Sequence, residues 1–355
     1  VTRSARTARA PGRVNLIGDH TDYTGGMVLP MAIDRETVVR VEPSDEPVVR
    51  LRSLDEPGEA VVPLAVVDPE RLTPTWARYV AGVVAEVRPS HGVTGTVRST
   101  VPVGAGLSSS AALEVAVALA LGAPGDDPVA LAEQCRRAEH RAVGVPSGIM
   151  DQLASAAGVA GAALMIDCHT RRVTPAPLPP ADEVEVVVVH SGQARTLAGS
   201  AYAERVAQCA AAEARIGPLR TAGLDDVTRL ADPVVRARAR HVVTENDRVR
   251  AFAAAMAAGD LVTAGRVMDA SHASLATDYA VSTDVLDALC ARLRATAGVF
   301  GARLTGAGFG GCVVALCRPG ALGSLGWSVR AVAGASVRTD GPATTPSVRT
   351  DGAGE

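Results

Sequence analysis

Between Ala10 and Tyr23 the chain reads Ala-Pro-Gly-Arg-Val-Asn-Leu-Ile-Gly-Asp-His-Thr-Asp-Tyr, which sets Arg13, Asp19, His20 and Asp22 within ten residues around Gly18. So much charge argues against a core strand, and so ordered a run argues against a linker. Carboxylates and an imidazole at this density exchange hydrogen bonds with a polyhydroxylated ligand, and an arginine beside them can meet phosphate. A solvated turn after an N-terminal strand would account for Gly18 and Asp19 but not for the whole set. The run predicts a polar pocket.

With 355 residues, 47% of them hydrophobic, the chain exceeds what one compact core usually fills, so two domains are expected. A formal net charge of -3 and scattered arginines supply no basic field for nucleic acid. All 35 basic residues are arginine. The absence of lysine excludes a Walker-type phosphate-loop lysine, a protein-kinase strand lysine, Schiff-base chemistry and a Ser-x-x-Lys nucleophile. Nucleotide phosphates would then fall to backbone amides, arginine and a metal ion. The six cysteines form no Cys-x-x-Cys pair, and period-2 alternation sends Cys312 and Cys317 to opposite faces of a strand. Buried free thiols in a reducing cytoplasm are expected. The longest apolar stretches are broken by Gly, Glu or Ser well short of a membrane span, so no membrane partner is expected.

Val28 to Val41, Val48 to Ser53 and Val93 to Val101 read as strands, and Ala77 to Val87 as a helix. Ala111 to Leu121 is apolar nearly all round and stops at Gly122, the pattern of a helix buried between layers. Helices are also expected at Pro128 to Val143 and Met150 to Ala157. Pro175 to Pro180 precedes a strand at Val184 to His190 and marks the expected domain boundary. Helical patterns follow at Ser200 to Ile216, Val234 to Ala257, Leu261 to Ala276 and Thr283 to Ala295, then an apolar stretch at Leu304 to Leu316 containing a glycine cluster. This irregular order predicts an α+β chain over a doubly wound sheet. Thr, Pro, Gly, Ser and Asp dominate after Val332, where Ser-Val-Arg-Thr-Asp-Gly occurs from Ser336 and again from Ser347. Residues 335–355 are expected to be a disordered tail.

Val101 to Ala111, Val-Pro-Val-Gly-Ala-Gly-Leu-Ser-Ser-Ser-Ala, runs from a strand into a helix and predicts an anion cradle. Glycines let backbone approach the ligand, the helix start presents unpaired amides, and serine hydroxyls bond phosphate or ligate magnesium. Gly144 to Gln152 places Asp151 at a helix start, where a carboxylate alone is more often a dipole partner than a catalyst. Glu139 and His140 on the preceding helix are weak signals by themselves. Leu304 to Val313 holds four glycines, either a wall over a ligand or a packed turn.

Taken in order, these segments resemble the three motifs of the GHMP kinases, and the first resembles the galactokinase family in particular. Similar too are Glu139-His140 with Gly144 to Gln152, Tyr202-x-x-Arg205-x-x-x-Cys209, Arg240 to Asn246, Ser271 to Leu275 with Asp278-Tyr279, and Thr305 to Gly311. The resemblance covers nearly the whole chain. It implies a GHMP kinase two-domain architecture: a ribosomal S5 domain 2-like N-terminal domain over residues 1–180, a ferredoxin-like C-terminal domain over residues 181–334, and an active site between them. Arg13 and Asp151 are implied as the catalytic pair beside a sugar C1 hydroxyl. Asp19, His20, Asp22 and Tyr202 are implied to bind the sugar. Gly104, Gly106, Ser108, Ser109 and Ser110 are implied to cradle ATP phosphates, with Ser110 and Glu139 as Mg2+ ligands and Trp76 and Tyr79 near adenine.

The implied reaction moves the ATP γ-phosphoryl group to the anomeric hydroxyl of α-D-galactose. Two alternatives stand beside it: a related 1-kinase for N-acetylgalactosamine or another sugar, and a non-catalytic sensor of galactose and ATP. One departure stands out. Family members usually carry glutamate where this chain has Asp19, so the carboxylate is one methylene shorter and its direct reach to a C6 hydroxyl is in question.

Overall fold

The computed structural model of the chain describes residues 4–144, 146–193 and 198–339. Its strands are β1 (Arg6–Asn15), β2 (Met27–Val28), β3 (Pro30–Ser44), β4 (Val48–Ser53), β5 (Glu59–Pro63), β6 (Gly92–Ser99), β7 (Ala162–Asp167), β8 (Arg172–Pro177), β9 (Glu185–His190), β10 (Val299–Thr305), β11 (Cys312–Cys317), β12 (Trp327–Val329) and β13 (Ser336–Thr339). Its helices are α1 (Thr75–Val87), α2 (Ser109–Ala120), α3 (Pro128–Val143), α4 (Met150–Ala157), α5 (Ala198–Ile216), α6 (Leu224–Thr228), α7 (Pro233–Ala257), α8 (Leu261–Thr277) and α9 (Asp284–Arg294).

Local chemistry sets many of these limits. Asp127 accepts from the amides of Val129 and Ala130 with Pro128 in the first turn, and Gly144 closes α3 in the left-handed region. Asp232 and Pro233 open α7 in the same way. From Ala111 to Ala120 every residue of α2 is buried, as its nearly all-apolar sequence predicts, and Glu114, the one charge in that run, is buried with the rest.

A six-stranded sheet runs β13-β1-β3-β6-β4-β5, a four-stranded sheet β10-β11-β9-β12, and a small sheet β2-β7-β8. Helices α1 and α2 pack on the first sheet and α3 covers them, in one core that includes Val80, Val84, Val115, Leu119 and Leu131. The second sheet is covered on both faces, which explains the unbroken valines of β9. Val186 and Val188 point into a core with Phe252, Met256 and Met268, whereas Val187 and Val189 meet Leu286, Leu289 and Leu293. Cys312 lies in the first of these cores and Cys317 in the second, as alternation predicts. The first core also takes Leu16, Ile17 and Met31, so the two halves of the chain share buried apolar surface around the charged motif.

The mixed, irregular element order is α+β, as expected. Two readings are corrected. The start of the Ala10–Tyr23 run is a core strand after all: β1 extends to Asn15 and is buried from Ala10 to Asn15. Burial is tolerated because the Arg13 charge is paired. Disorder from residue 335 also fails for part of the tail, since Ser336 to Thr339 pair antiparallel with Arg6 to Arg9 of β1. The expected boundary at residue 180 falls between β8 of the small sheet and β9 of the four-stranded one.

Candidate active site

Arg13 stands at the centre. Its side chain leaves the end of β1, is 5% exposed, and forks onto Asp151 with Nε 2.8 Å from Oδ1 and Nη2 2.6 Å from Oδ2. The remaining nitrogen, Nη1, donates to the Gly106 carbonyl at 2.6 Å. A bidentate guanidinium–carboxylate pair fixes both groups in angle as well as distance. Asp151 sits in the first turn of α4, where the helix dipole favours negative charge, and its Oδ2 also accepts from the Ser108 hydroxyl. Strand β1 lies close beneath the glycine loop. A Cβ on Gly12 would stand 2.7 Å from the Leu107 carbonyl oxygen, and the Arg13 amide donates to that same oxygen at 3.0 Å.

On one side of this pair lies a cavity of about 870 Å³ whose lining includes Trp76, Tyr79, Gly104, Gly106, Ser109 and Ser110. Gly104 and Gly106 adopt φ of 74° and 80°, and Ser108 enters α2 at φ 58°. No side chain caps α2. Its first amides therefore stand at the half-buried start of a helix that is buried from Ala111 onward, a ready anion site. Trp76 donates from its indole nitrogen to the Pro57 carbonyl at 3.2 Å, which holds the ring at the cavity wall. Ser108 lines the cavity as well, but its hydroxyl is spent on Asp151 rather than left for phosphate.

Ser110 Oγ donates to Glu139 Oε1 at 3.4 Å, and Glu139 Oε2 accepts from Ser147 Oγ at 2.6 Å and Gln152 Nε2 at 3.0 Å. Burial and the nearby Asp151 charge raise the Glu139 carboxyl, while these donors oppose the rise. Among the described residues no group of three or more His, Cys, Asp or Glu could hold a metal ion by itself. A hydroxyl and one carboxylate beside unpaired helix-start amides nevertheless suit magnesium, which takes few protein oxygens and completes its shell with phosphate and water.

On the other side of the Arg13–Asp151 pair is a smaller cavity of about 230 Å³, lined by Asp19, His20, Asp22, Tyr202, Gly306 and Ala307 among others. Asp19 is 1% exposed, and both its oxygens are engaged: Oδ2 with Arg303 Nη2 at 2.5 Å, Oδ1 with the Gly306 amide at 2.8 Å. His20 is committed too. Its Nε2 faces the Ala307 carbonyl at 3.2 Å and so carries the proton, leaving Nδ1 to accept from Tyr23 Oη at 3.1 Å. Tyr23 in turn accepts from the Tyr279 hydroxyl, and Cys209 Sγ lies 3.1 Å from that hydroxyl. Burial, then His241, push the His20 imidazole down to about 3. Asp22 is different. Burial and then the Asp151 charge push its carboxyl up to about 7.

Three of the four tyrosines gather here, with the His20 ring centre 4.7 Å from Tyr279 and 5.6 Å from Tyr202, and Tyr202 5.4 Å from Tyr23. The expected site residues thus come together at two adjoining cavities. What differs is the use of three of them: Ser108 holds Asp151, His20 links the Ala307 carbonyl through Nε2 to the Tyr23 hydroxyl through Nδ1, and Asp19 is drawn back onto Arg303. Sequence reasoning missed Arg303 altogether. Its one available signal was a lone charge inside the apolar run Val-Phe-Gly-Ala-Arg-Leu-Thr.

The fold and the paired cavities define a small-molecule kinase of the GHMP class. Residues 78–159 match the family model described as GHMP kinases N terminal domain, and residues 252–325 that described as GHMP kinases C terminal. The Methanococcus jannaschii mevalonate kinase shares the fold at 18% identity, with a TM-score of 0.68 over 92% of this chain and 98% of its own. Within that class the chain belongs to the galactokinase family. Residues 2–43 match the galactokinase galactose-binding signature. The galactokinase of Roseiflexus sp. (strain RS-1) is 46% identical over 87% of this chain and 82% of its own, and that of Mycobacterium tuberculosis (strain H37Rv) 43% identical over 86% and 87%. The Lactococcus lactis galactokinase, solved in complex with galactose, superposes with a TM-score of 0.84 at 30% identity, covering 94% of this chain and 95% of that one.

Proposed function

We propose that this chain transfers the γ-phosphoryl group of ATP to the anomeric hydroxyl of α-D-galactose, giving galactose 1-phosphate and ADP. One observation carries the reading: Arg13, Glu139 and Asp151 are the residues common to both cavity linings, so they stand where a sugar in the small cavity meets a triphosphate in the large one. Membership of the galactokinase family supports the choice of sugar.

Asp151 aligns the C1 hydroxyl and accepts its proton as the new O–P bond forms and the bond from the γ-phosphorus to ADP oxygen breaks. A carboxylate is too weak a base to deprotonate a sugar hydroxyl beforehand, but in a loose transition state the proton leaves late. Arg13 holds the carboxylate in place by its fork and stabilises charge on the transferring group. The amides at the start of α2, with Gly104, Gly106 and Ser109, bind the phosphates in the absence of any lysine. Ser110 and Glu139 would hold a magnesium ion, which would supply positive charge beside the leaving ADP. Asp22 and Tyr202 contact sugar hydroxyls, and Asp19 and His20 shape the wall behind them. Trp76 and Tyr79 flank adenine.

The test is ADP release over a panel of sugars. Release that depends on galactose, and exceeds that with N-acetylgalactosamine, glucose and arabinose, supports the reading. A clear preference for another sugar reassigns the substrate, and sugar binding without any ADP release marks a sensor.

A further inference from the structure

Behind the sugar cavity lies a guanidinium with no exposed surface at all. Arg303 is 0% exposed, in β10, and reaches across to the N-terminal motif. Its Nη2 meets Asp19 and its Nη1 donates to the Leu16 carbonyl at 3.1 Å, while Nε has no hydrogen-bond partner. A second carboxylate, Glu245 Oε1, stands 4.0 Å from Nη2 and receives the Gly18 amide at 3.1 Å. Thr305, two residues along the same strand, donates to the Asn15 carbonyl at 2.9 Å, and the next residue, Gly306, donates to Asp19. One short segment of the C-terminal half therefore grips Asn15, Leu16 and Asp19 in succession.

Stability alone is a poor reason for such a pair. Apolar residues of similar volume often serve a buried site as well or better, whereas an ion pair specifies orientation. Here the oriented group is one wall of the small cavity. We propose that Arg303 is a positioning residue for sugar recognition, holding the Asp19 carboxylate and the Leu16–Asp19 turn in the one arrangement that shapes the sugar cavity. It touches no nucleotide-cavity residue through any of these bonds, so its effect belongs to the sugar and not to ATP. This rests on the sugar-kinase reading above.

The experiment compares Arg303→Met, Asp19→Asn and the double variant, measuring KM for galactose, KM for ATP and the thermal midpoint. Arg303→Met strips the buried Asp19 carboxylate of its guanidinium and Asp19→Asn leaves Arg303 only the more distant Glu245, so both lower the midpoint, and the double variant recovers much of the loss. Galactose KM rises about tenfold or more in all three, with the double close to the worse single because Arg303 acts through Asp19. ATP KM stays within about twofold. An unchanged galactose KM in Arg303→Met, a parallel rise in ATP KM, or a double-variant loss equal to the product of the singles overturns the proposal. Should Arg303→Met fail to fold, Arg303→Lys keeps the charge but not the fork. A wild-type galactose KM there overturns the proposal, and a raised one with ATP KM intact supports it. Absence of galactose-dependent ADP release from the unaltered chain would instead refute the underlying kinase reading, separately from these variants.

Discussion

Because burial and the Asp151 charge push the Asp22 carboxyl up to about 7, its ionisation falls in a range where enzymes are routinely assayed. The ionised form accepts hydrogen bonds from sugar hydroxyls more strongly, so galactose KM should fall as pH rises from about 6 to about 8. His20, held near 3, does not titrate there. Asp22→Asn should flatten the profile and raise KM, a result read directly from initial rates. The sign for stability is opposite. An acid whose folded value lies above its ordinary 3.8 costs nothing below that pH and destabilises the fold progressively up to about 7. Asp22→Asn should accordingly raise the thermal midpoint at pH values above about 8 while impairing recognition. At Asp151 the expected loss is in chemistry: Asp151→Asn should lower kcat by roughly a thousandfold yet leave sugar affinity, measured by calorimetry, near that of the parent. The residue types at these positions were legible in sequence. Their hydrogen-bond partners were not, because Ser108, Ala307 and Arg303 reach them only through folding.

Among the elements, the β1–α2 junction is the most tightly fitted. Strand β1 passes under the Gly104–Ser108 loop with no room for a side chain at Gly12, where a Cβ would press on the Leu107 carbonyl from 2.7 Å. Gly12→Ala should therefore displace the loop, raise KM for ATP more than KM for galactose, and cost about 1–3 kcal/mol in denaturant unfolding. A parallel rise in both constants would argue against loop displacement. Helices whose limits rest on local chemistry, such as α3 between Asp127 and Gly144, were readable from their own residues. Strand β1 was misread at its charged end because the partner that neutralises Arg13 lies 138 residues away. Five-residue α6 escaped notice because one turn carries too little periodicity to register.

For the molecule as a whole, β13 closes the N-terminal sheet with residues from the far end of the described chain. Before it, the Gly334 amide donates to the Gly158 carbonyl at 2.7 Å and the Ala335 amide to the Ser155 carbonyl at 2.9 Å, which leads the chain back onto the first layer. All four β13 residues are exposed and none lines either active-site cavity. Ending the chain after Ala335 should lower the thermal midpoint modestly, leave kcat and both KM values intact, and uncover the edge of β1, which light scattering would register as self-association. The amino-acid sequence by itself determined the limits of helices such as α3 and α4, the buried character of α2, the absence of lysine and the charged residues gathered between Ala10 and Tyr23, because propensity, capping and periodicity act over a few neighbours. Only the tertiary structure decided that Arg13 pairs with Asp151, that His20 and Asp19 brace their own wall, and that Arg303 stands behind them, since those contacts join segments more than a hundred residues apart and exist only when two layers share one core.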